Sequence, residues 1–223
     1  MEIIAKIHTD LPEKFGIPRQ SGLVPELKGT IVFEPQYRDE NAVRGIEEFS
    51  HLWIIWKFSK NPEGKWSPTV RPPRLGGNER KGVFATRSPF RPNPIGLSCV
   101  RLDSVVIGEQ GPVLKVSGID MADGTPVLDI KPYIPYADSH PDASGGFADE
   151  FIKYSIEVKS DDALLSVFSE EQKRAVIGMI QKDPRPSYQH NDERIYGISF
   201  AGYNIRFVVR DHTAYLLDCQ PNI

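Results

Sequence analysis

The chain has 223 residues, 39% of them hydrophobic and 26% charged, and its formal net charge is −3 at pH 7. This length is enough for one large domain or for a medium-sized domain with a small one, and the composition is that of a globular protein with a core. The negative net charge argues against a protein that coats nucleic acid over its whole surface, whereas a local basic patch would suffice for a specific contact.

The two cysteines give no sign of a disulfide or a metal site. Cys99 and Cys219 lie far apart and outside any C-x-x-C or Cys/His cluster, and the five histidines are scattered. A reduced intracellular protein without a metal is the simplest interpretation. The N-terminus lacks the features of a signal peptide, and no apolar run approaches the roughly 20 residues that span a bilayer. We therefore expect a cytoplasmic protein.

The first 135 residues are predicted to be mainly β. Segments rich in β-branched and aromatic residues follow one another at short intervals, separated by Gly/Pro turns. They are EIIAKI, GTIVFE, HLWIIWKF, GVFAT, IGLSCVRLDSVVI, PVLKVSGI and PVLDI. The segment ENAVRGIEEF, residues 40–49, is the one plausible helix among them. Many short strands without long helices between them favour a barrel or a sandwich over a doubly wound parallel sheet.

A domain boundary is predicted near residue 140, within the polar segment YADSHPDASGGFADE. Beyond it, SEEQKRAVIGMIQKD predicts a helix with Ser169 as N-cap and Gln172 at the capping-box position. The tail alternates apolar and polar residues, which indicates a hairpin or a small meander. The expected architecture is a mainly β domain over residues 1–140 and a small α+β domain over residues 141–223.

Charge is unevenly distributed along the chain. Residues 71–101 hold seven Lys/Arg and one acid, a net charge of +6, whereas residues 138–171 hold nine acids and two lysines, a net charge of −7. The basic segment is where a carboxylate or a polyanion would bind. The alternative is that the two segments simply face each other.

Arginines set among prolines mark residues 71–98 as the candidate binding region. Proline fixes its own φ and restricts the residue before it, so Arg87 and Arg91 in GVFATRSPFRPNPIGLS are expected to be held in place. A guanidinium binds a carboxylate or a phosphate through two parallel hydrogen bonds. The segment therefore predicts a preorganised anion site, with a solvated proline-rich connector as the alternative.

Two further stretches carry candidate ligand groups. DGTP, residues 123–126, is typical of a turn between strands and is followed by Asp129 and Lys131 on one strand face, where a carboxylate could hold an amino or hydroxyl group. In QKDPRPSY, Arg185 lies between two prolines with Tyr188 close behind. An arginine beside an aromatic ring suits single-stranded nucleic acid, where bases stack and phosphates pair. Each stretch could also be an ordinary turn.

Taken together, these stretches resemble the TsaA-like family, whose TrmO-type members are S-adenosylmethionine-dependent tRNA methyltransferases. The resemblance covers nearly the whole chain. It is carried, in the same order, by PRQ (18–20), FSHLWI (49–54), RPPRLGGN (71–78), GVFATRSPFRPNPIGLS (82–98), DGTPVLDIKPYIPYAD (123–138) and DPRP (183–186).

The resemblance implies an N-terminal β-barrel that binds S-adenosylmethionine, a small C-terminal domain that contacts tRNA, and a homodimer. The implied reaction methylates N6 of N6-threonylcarbamoyladenosine (t6A) at position 37 of tRNA, beside the anticodon. The implied cofactor-binding residues are Pro18, Arg19, Gln20, Ser59, Lys60, Arg87, Leu97, Asp123, Gly124, Thr125 and Pro126.

The chemistry of this reaction suggests roles for the remaining candidates. The N6 of t6A is a urea-type N–H and a poor nucleophile, so catalysis should benefit from proton removal or from stabilisation of negative charge on the carbamoyl oxygen. Arg87 or Arg91 could stabilise that charge, and Asp129 is the candidate base. Arg185 and Tyr188 are the candidate tRNA contacts. The competing hypothesis is a non-catalytic protein that binds S-adenosylmethionine or RNA.

Overall fold

Six antiparallel strands close into a barrel in the N-terminal part of the chain. A computed structural model describes residues 1–61, 64, 66–75, 79–186 and 191–222. Around the barrel the strands are ordered β1-β2-β7-β6-β3-β8. Their bounds are Ala5–Thr9 (β1), Lys28–Phe33 (β2), His51–Lys57 (β3), Ile95–Gly108 (β6), Gly111–Ser117 (β7) and Thr125–Pro132 (β8). A short pair, Thr69–Val70 (β4) with Lys81–Gly82 (β5), lies outside the barrel. The predicted mainly β fold with an N-terminal barrel is confirmed.

Alternating side chains explain why these strands close into a barrel. Along β3, Leu52, Ile54 and Trp56 are buried, while the residues between them are partly exposed. Successive side chains of a strand point to opposite faces, so this pattern gives the sheet one apolar face that is buried when the sheet curls on itself. The same alternation runs through the first part of β6 and through β7.

Two local predictions in the barrel region were wrong. Residues 40–49 do not form one helix but two short 3₁₀ turns, Glu40–Val43 and Ile46–Glu48, separated by Gly45 at φ 82°. A left-handed residue ends a right-handed helix. The predicted strand GVFAT is also absent, because only Lys81–Gly82 pairs with a neighbour before the 3₁₀ turn Val83–Ala85 begins.

The C-terminal part is α+β, as expected. Its strands are Glu157–Lys159 (β9), Tyr196–Phe200 (β10), Tyr203–Arg210 (β11) and Thr213–Pro221 (β12), in the sheet order β10-β11-β12-β9. A short helix, Pro135–Asp138 (α1), precedes this part, and the main helix spans Glu170–Gln181 (α2). Both hydrogen bonds of the capping box between Ser169 and Gln172 are present, which confirms the predicted helix start.

Residues 10–22 lie between the barrel and the C-terminal sheet. The Asp10 carbonyl accepts a hydrogen bond from the Ala201 N–H at 2.9 Å, and the Phe15 ring stacks on Tyr196 with 6.3 Å between centroids. Gly16 has φ +95°, and a Cβ there would lie 2.7 Å from Ile198, so both conformation and space favour glycine. Buried side chains of both parts form one continuous cluster. The division near residue 140 therefore stays a prediction.

Among the residues that the structure describes, no helix is both long enough and apolar enough to cross a lipid bilayer.

Candidate cofactor and RNA site

The predicted cofactor-binding residues collect at one end of the barrel. Strand β3 ends where its antiparallel neighbours β6 and β8 begin: Lys57 pairs with Ile95, and Trp56 pairs with Val127. Ser59 and Lys60, just after β3, are thereby brought to the end where β6 and β8 start. Leu97, near the start of β6, and residues 123–126, at the start of β8, belong to the same end.

The loop that carries Pro18, Arg19 and Gln20 closes over this end. The Arg87 guanidinium donates a hydrogen bond to Gln20 Oε1. The Cys99 backbone N–H donates to Ser21 Oγ at 3.1 Å, which holds the loop beside β6. Segments that are far apart in the sequence therefore meet here, and their role in binding a cofactor stays a prediction.

Residues 123–126 form a turn whose side chains are used to hold it. Asp123 Oδ1 accepts the Thr9 N–H at 3.0 Å and lies 3.3 Å from His8 Nδ1. The Thr125 hydroxyl donates to the Ala122 carbonyl at 2.7 Å, and Gly124 adopts φ 72°. Backbone hydrogen bonds also hold this turn: the Asp123 N–H donates to the Leu11 carbonyl, and the Gly124 N–H donates to the Ile7 carbonyl.

The two loop arginines have different partners. Arg91 donates from Nη1 to the carbonyl oxygens of Thr86 at 2.9 Å and Ser88 at 3.3 Å, so its guanidinium braces its own loop. Arg87 instead reaches across to the 18–20 loop. The sequence predicted two guanidinium groups held in place to bind an anion. In the structure, Arg91 fixes its own loop, and Arg87 connects two segments that are predicted to bind the cofactor.

Asp120 lies beside the candidate site residues, and the sequence analysis did not single it out. Trp56 Nε1 donates to Ser98 Oγ at 2.9 Å, and the fully buried Ser98 hydroxyl donates to Asp120 Oδ1 at 2.5 Å. The Ser21 N–H also donates to this carboxylate. Burial raises the pKa of Asp120 to about 6, against the opposing effects of these hydrogen bonds and of the Arg87 charge. The sequence feature that could have pointed to Asp120 is its place between two apolar residues, Ile119 and Met121.

Asp129, the candidate base, is on the outer barrel wall. In the strand register it faces Ile55, which in turn faces Leu97 on the other side. Its carboxylate lies 3.0 Å from Lys131 Nζ, and the side chain is about half exposed. The predicted shared face of Asp129 and Lys131 is thus an ion pair in the structure, and the catalytic role of Asp129 stays a prediction.

The C-terminal DPRP segment contacts the predicted cofactor loop directly. Arg185 Nε donates to Asp183 Oδ1 at 2.8 Å, and its side chain is only 12% exposed. The Arg185 carbonyl accepts a hydrogen bond from Arg19 Nη2 at 3.1 Å. The Arg185 guanidinium is thus already paired within the chain, and its contact with RNA stays a prediction. The other candidate RNA contact, Tyr188, lies outside the described residues.

Asp183 is the centre of a buried charge cluster. It is 2% exposed and, besides Arg185, accepts the Tyr154 hydroxyl at 3.0 Å and lies 3.7 Å from Arg74 Nη1. Burial alone would raise the pKa of Asp183, but the hydrogen bonds and charges of Arg185, Tyr154 and Arg74 hold it below its ordinary value.

Positive charge exceeds negative charge around Asp183. Burial and the charge of Arg74 lower the pKa of Arg19 to about 10, which leaves the guanidinium protonated at pH 7. The Nη1 atoms of Arg19 and Arg74 are buried and have no hydrogen-bond partner in the described part of the chain. Buried donors are normally paired, so the cluster is suited to an additional anionic group.

The basic and acidic segments touch each other through aromatic rings. The Arg74 guanidinium lies over the Tyr154 ring at 4.1 Å, and Lys81 Nζ lies 5.6 Å from the centre of the Phe147 ring. The alternative that the two segments face each other therefore holds at Arg74 and at Lys81. No group of three or more His, Cys, Asp or Glu side chains is placed to hold a metal ion in the part of the chain that the structure describes.

Family models match most of the chain. The tRNA-methyltransferase O N-terminal domain matches residues 6–139, and the TrmO C-terminal domain matches residues 152–222. The tRNA (adenine(37)-N6)-methyltransferase of Escherichia coli (strain K12) is 44% identical over 228 residues, which covers 99% of this chain and 97% of that protein. A putative S-adenosylmethionine-dependent methyltransferase of Pseudomonas aeruginosa is 43% identical over 202 residues, 87% of this chain and 86% of that protein.

The similarity extends to solved structures. A crystal structure of TrmO from Pseudomonas aeruginosa matches with a TM-score of 0.79 and 34% sequence identity, over 99% of this chain and 95% of that chain. Both parts of the fold, the barrel and the α+β part, are included in this match. The chain therefore belongs to the tRNA-methyltransferase O family.

Proposed function

We propose that this chain is an S-adenosylmethionine-dependent methyltransferase that acts on N6 of adenosine 37 in tRNA, and that its substrate is N6-threonylcarbamoyladenosine. The name and the 44% identity of the Escherichia coli relative support the tRNA adenosine reaction. The observation that carries the proposal is the hydrogen bond from Arg19 to the Arg185 carbonyl. It joins the segment predicted to bind the cofactor to the segment predicted to bind RNA.

The residues at the barrel end fit the proposed cofactor. S-adenosylmethionine supplies a methyl group on a positively charged sulfur and also carries a carboxylate. The buried Nη1 of Arg19, which has no hydrogen-bond partner among the described residues, is a donor that suits a carboxylate. We assign the cofactor to Pro18, Arg19, Gln20, Ser59, Lys60, Arg87, Leu97, Asp123, Gly124, Thr125 and Pro126.

The chain's own residues would assist the reaction by position and charge. Arg87, held at Gln20, would stabilise negative charge that develops on the carbamoyl oxygen of the substrate. Asp129 is proposed to accept the N6 proton. Arg91, which braces its loop, would keep the rigid geometry on which transfer between two bound groups depends. Arg185 and Tyr188 are the proposed tRNA contacts.

The charge balance of the site supports the proposed substrate. A threonylcarbamoyl group brings a carboxylate that unmodified adenosine lacks, and the cluster of Arg19, Arg74 and Arg185 around a single carboxylate, Asp183, has positive charge to spare. We further propose a cytoplasmic homodimer in which residues 1–140 bind the cofactor and residues 141–223 contact tRNA. Sedimentation of the purified chain tests the dimer.

A methyl-transfer assay tests the function. Purified chain is mixed with labelled S-adenosylmethionine and with tRNA from cells that have or lack threonylcarbamoylation. Label should appear only in the modified tRNA. If neither tRNA gains label although the chain binds S-adenosylmethionine, the alternative of a non-catalytic binding protein is favoured. Equal label in both tRNAs would refute t6A as the substrate and leave the adenosine reaction standing.

A further inference from the structure

A cleft of about 290 Å³ lies next to the predicted methyl-transfer site but is built mostly of other residues. It is formed by the end of β3, by Asn61, Gly64 and Trp66, and by the proline-rich loop of Arg91. The described residues that line it are Lys57, Phe58, Asn61, Gly64, Trp66, Pro89, Phe90, Arg91, Pro92 and Pro94. Phe58 directly precedes Ser59 and Lys60, so the cleft adjoins the proposed cofactor residues.

Two of the lining aromatic side chains are exposed to an unusual degree. Trp66 is 54% exposed and Phe90 is 42% exposed, whereas large aromatic side chains are normally mostly buried. Phe58 is less exposed and packs against Trp56 of the barrel at 4.3 Å between ring centroids. Exposed aromatic faces around one cleft are typical of sites that stack a planar ligand.

The walls of the cleft are held together by the backbone. The Phe58 N–H donates to the Pro94 carbonyl at 2.9 Å, and the Ser67 N–H donates to the Phe90 carbonyl at 3.2 Å. Three lining prolines restrict the loop further. The aromatic rings are therefore presented by a fixed backbone, which lowers the entropy cost of binding.

Charge selects the class of ligand. Arg91 contributes a cationic side chain, and no Asp or Glu is among the described residues that line the cleft. Aromatic faces beside cations suit a base with its phosphate. The volume is just below the roughly 300–1,000 Å³ of ligand pockets, which favours a single base over a whole nucleoside cofactor.

We propose that this cleft binds one unstacked base of the tRNA anticodon loop, a direct neighbour of the target adenosine, between Trp66 and Phe90. Arg91 lies beside the phosphate of that nucleotide. The inference rests on the proposed function, because it takes tRNA as the partner. It adds a binding site that none of the predicted cofactor, catalytic or tRNA residues supplies, apart from Arg91.

Fluorescence of a labelled RNA tests the proposal. The probe is a stem-loop RNA of the anticodon arm in which 2-aminopurine replaces, one at a time, the two nucleotides that flank the target. Binding to the full chain should quench one of the two positions. Trp66→Ala and Phe90→Ala should each remove the quenching and weaken stem-loop affinity about 10-fold, a typical effect for one stacked base.

Controls separate stacking from general damage. Phe84 is on the same loop and 75% exposed but does not line the cleft, so Phe84→Ala should leave stem-loop affinity within about twofold of the unsubstituted chain. Trp66→Phe keeps an aromatic face and should restore most of the affinity. Thermal unfolding of each variant confirms that it is folded, and S-adenosylmethionine affinity should be unchanged.

The outcomes distinguish this inference from the proposed function. Unchanged stem-loop affinity in both alanine variants would overturn the base-binding cleft even if the chain methylates tRNA. A chain that methylates no tRNA, yet binds the stem-loop through Trp66, would support the cleft and refute the function. Loss of the dimer in Trp66→Ala without loss of RNA affinity would overturn the inference by assigning the cleft to contact between two copies of the chain.

Discussion

Arg19, in the loop between β1 and β2, donates a hydrogen bond from Nη2 to the backbone carbonyl of Arg185 at 3.1 Å, although 166 positions separate the two residues. One residue belongs to the PRQ segment and the other to DPRP. The contact joins the proposed cofactor loop to the segment beyond α2. On the C-terminal side, Arg185 is held in place by its ion pair with Asp183.

The first prediction concerns Asp183. Asp183→Asn should lower the free energy of unfolding by about 3 kcal/mol, because removing one partner of a buried ion pair leaves Arg74 and Arg185 without their compensating charge. Chemical denaturation measures the change. Asp218→Asn, which breaks the more exposed pair with Arg206, should cost less than about 1 kcal/mol. Equal effects of the two variants would show that burial does not matter here.

The same carboxylate predicts an acid limit of stability. The folded-state pKa of Asp183 is lowered, so its contribution is fully present above the ordinary carboxyl pKa and is lost as pH falls through the lowered value. The difference in unfolding free energy between the native chain and Asp183→Asn should therefore shrink toward the acid end. A constant difference between pH 2 and pH 7 would contradict this assignment.

Asp120 predicts the opposite pH dependence. Its folded-state pKa of about 6 lies above the ordinary carboxyl value of 3.8, so between these two pH values the folded chain holds a proton that the unfolded chain releases. Stability from this group is present at low pH and is lost as pH rises toward 6, by about 3 kcal/mol in total. Asp120→Asn should remove that slope in denaturation experiments repeated from pH 4 to pH 7. A variant that keeps the slope would assign it to other groups.

Arg87 predicts a loss of cofactor affinity. The Arg87 guanidinium contacts Gln20 and places a positive charge near Asp120. Arg87→Ala removes this group, so we expect S-adenosylmethionine binding to weaken by about 10-fold or more. Calorimetric titration measures this. Arg87→Lys should restore only part of the affinity, because an ammonium lacks the planar fork. Arg101→Ala, an exposed surface change, is the control, and an equal loss there would refute a specific role for Arg87.

Arg185 separates RNA binding from cofactor binding. Arg185→Ala removes the guanidinium but keeps the backbone carbonyl that Arg19 uses, so cofactor affinity should stay within about twofold. If the side chain contacts tRNA, tRNA affinity should fall about 10-fold in a filter-binding assay, as for loss of a charged contact. Unchanged tRNA affinity would make Arg185 a structural partner of Asp183.

Neighbouring residues were sufficient to predict the regular elements. The alternation along HLWIIWKF and the Ser169–Gln172 capping box both depend on residues a few positions apart. The two local errors arose where a backbone conformation decided the outcome. Gly45 turns left-handed inside an apparently helical segment, and GVFAT lacks a partner strand beyond Gly82.

The candidate site also combines features that the sequence shows with features that only the fold creates. The PRQ, DGTP and DPRP blocks could be read from the chain alone, because their arginines, prolines and glycines are contiguous. Which of their charges meet was decided by closure of the barrel and docking of the C-terminal sheet. The pKa of Asp120 is raised because the fold buries this carboxylate, against the opposing effect of its hydrogen bond with Ser98. Trp66 and Phe90 line one cleft because the N–H of Ser67, the residue after Trp66, donates a hydrogen bond to the Phe90 carbonyl. Burial and long-range pairing arise only when distant segments pack together, so they cannot be predicted from residues that are neighbours in the sequence.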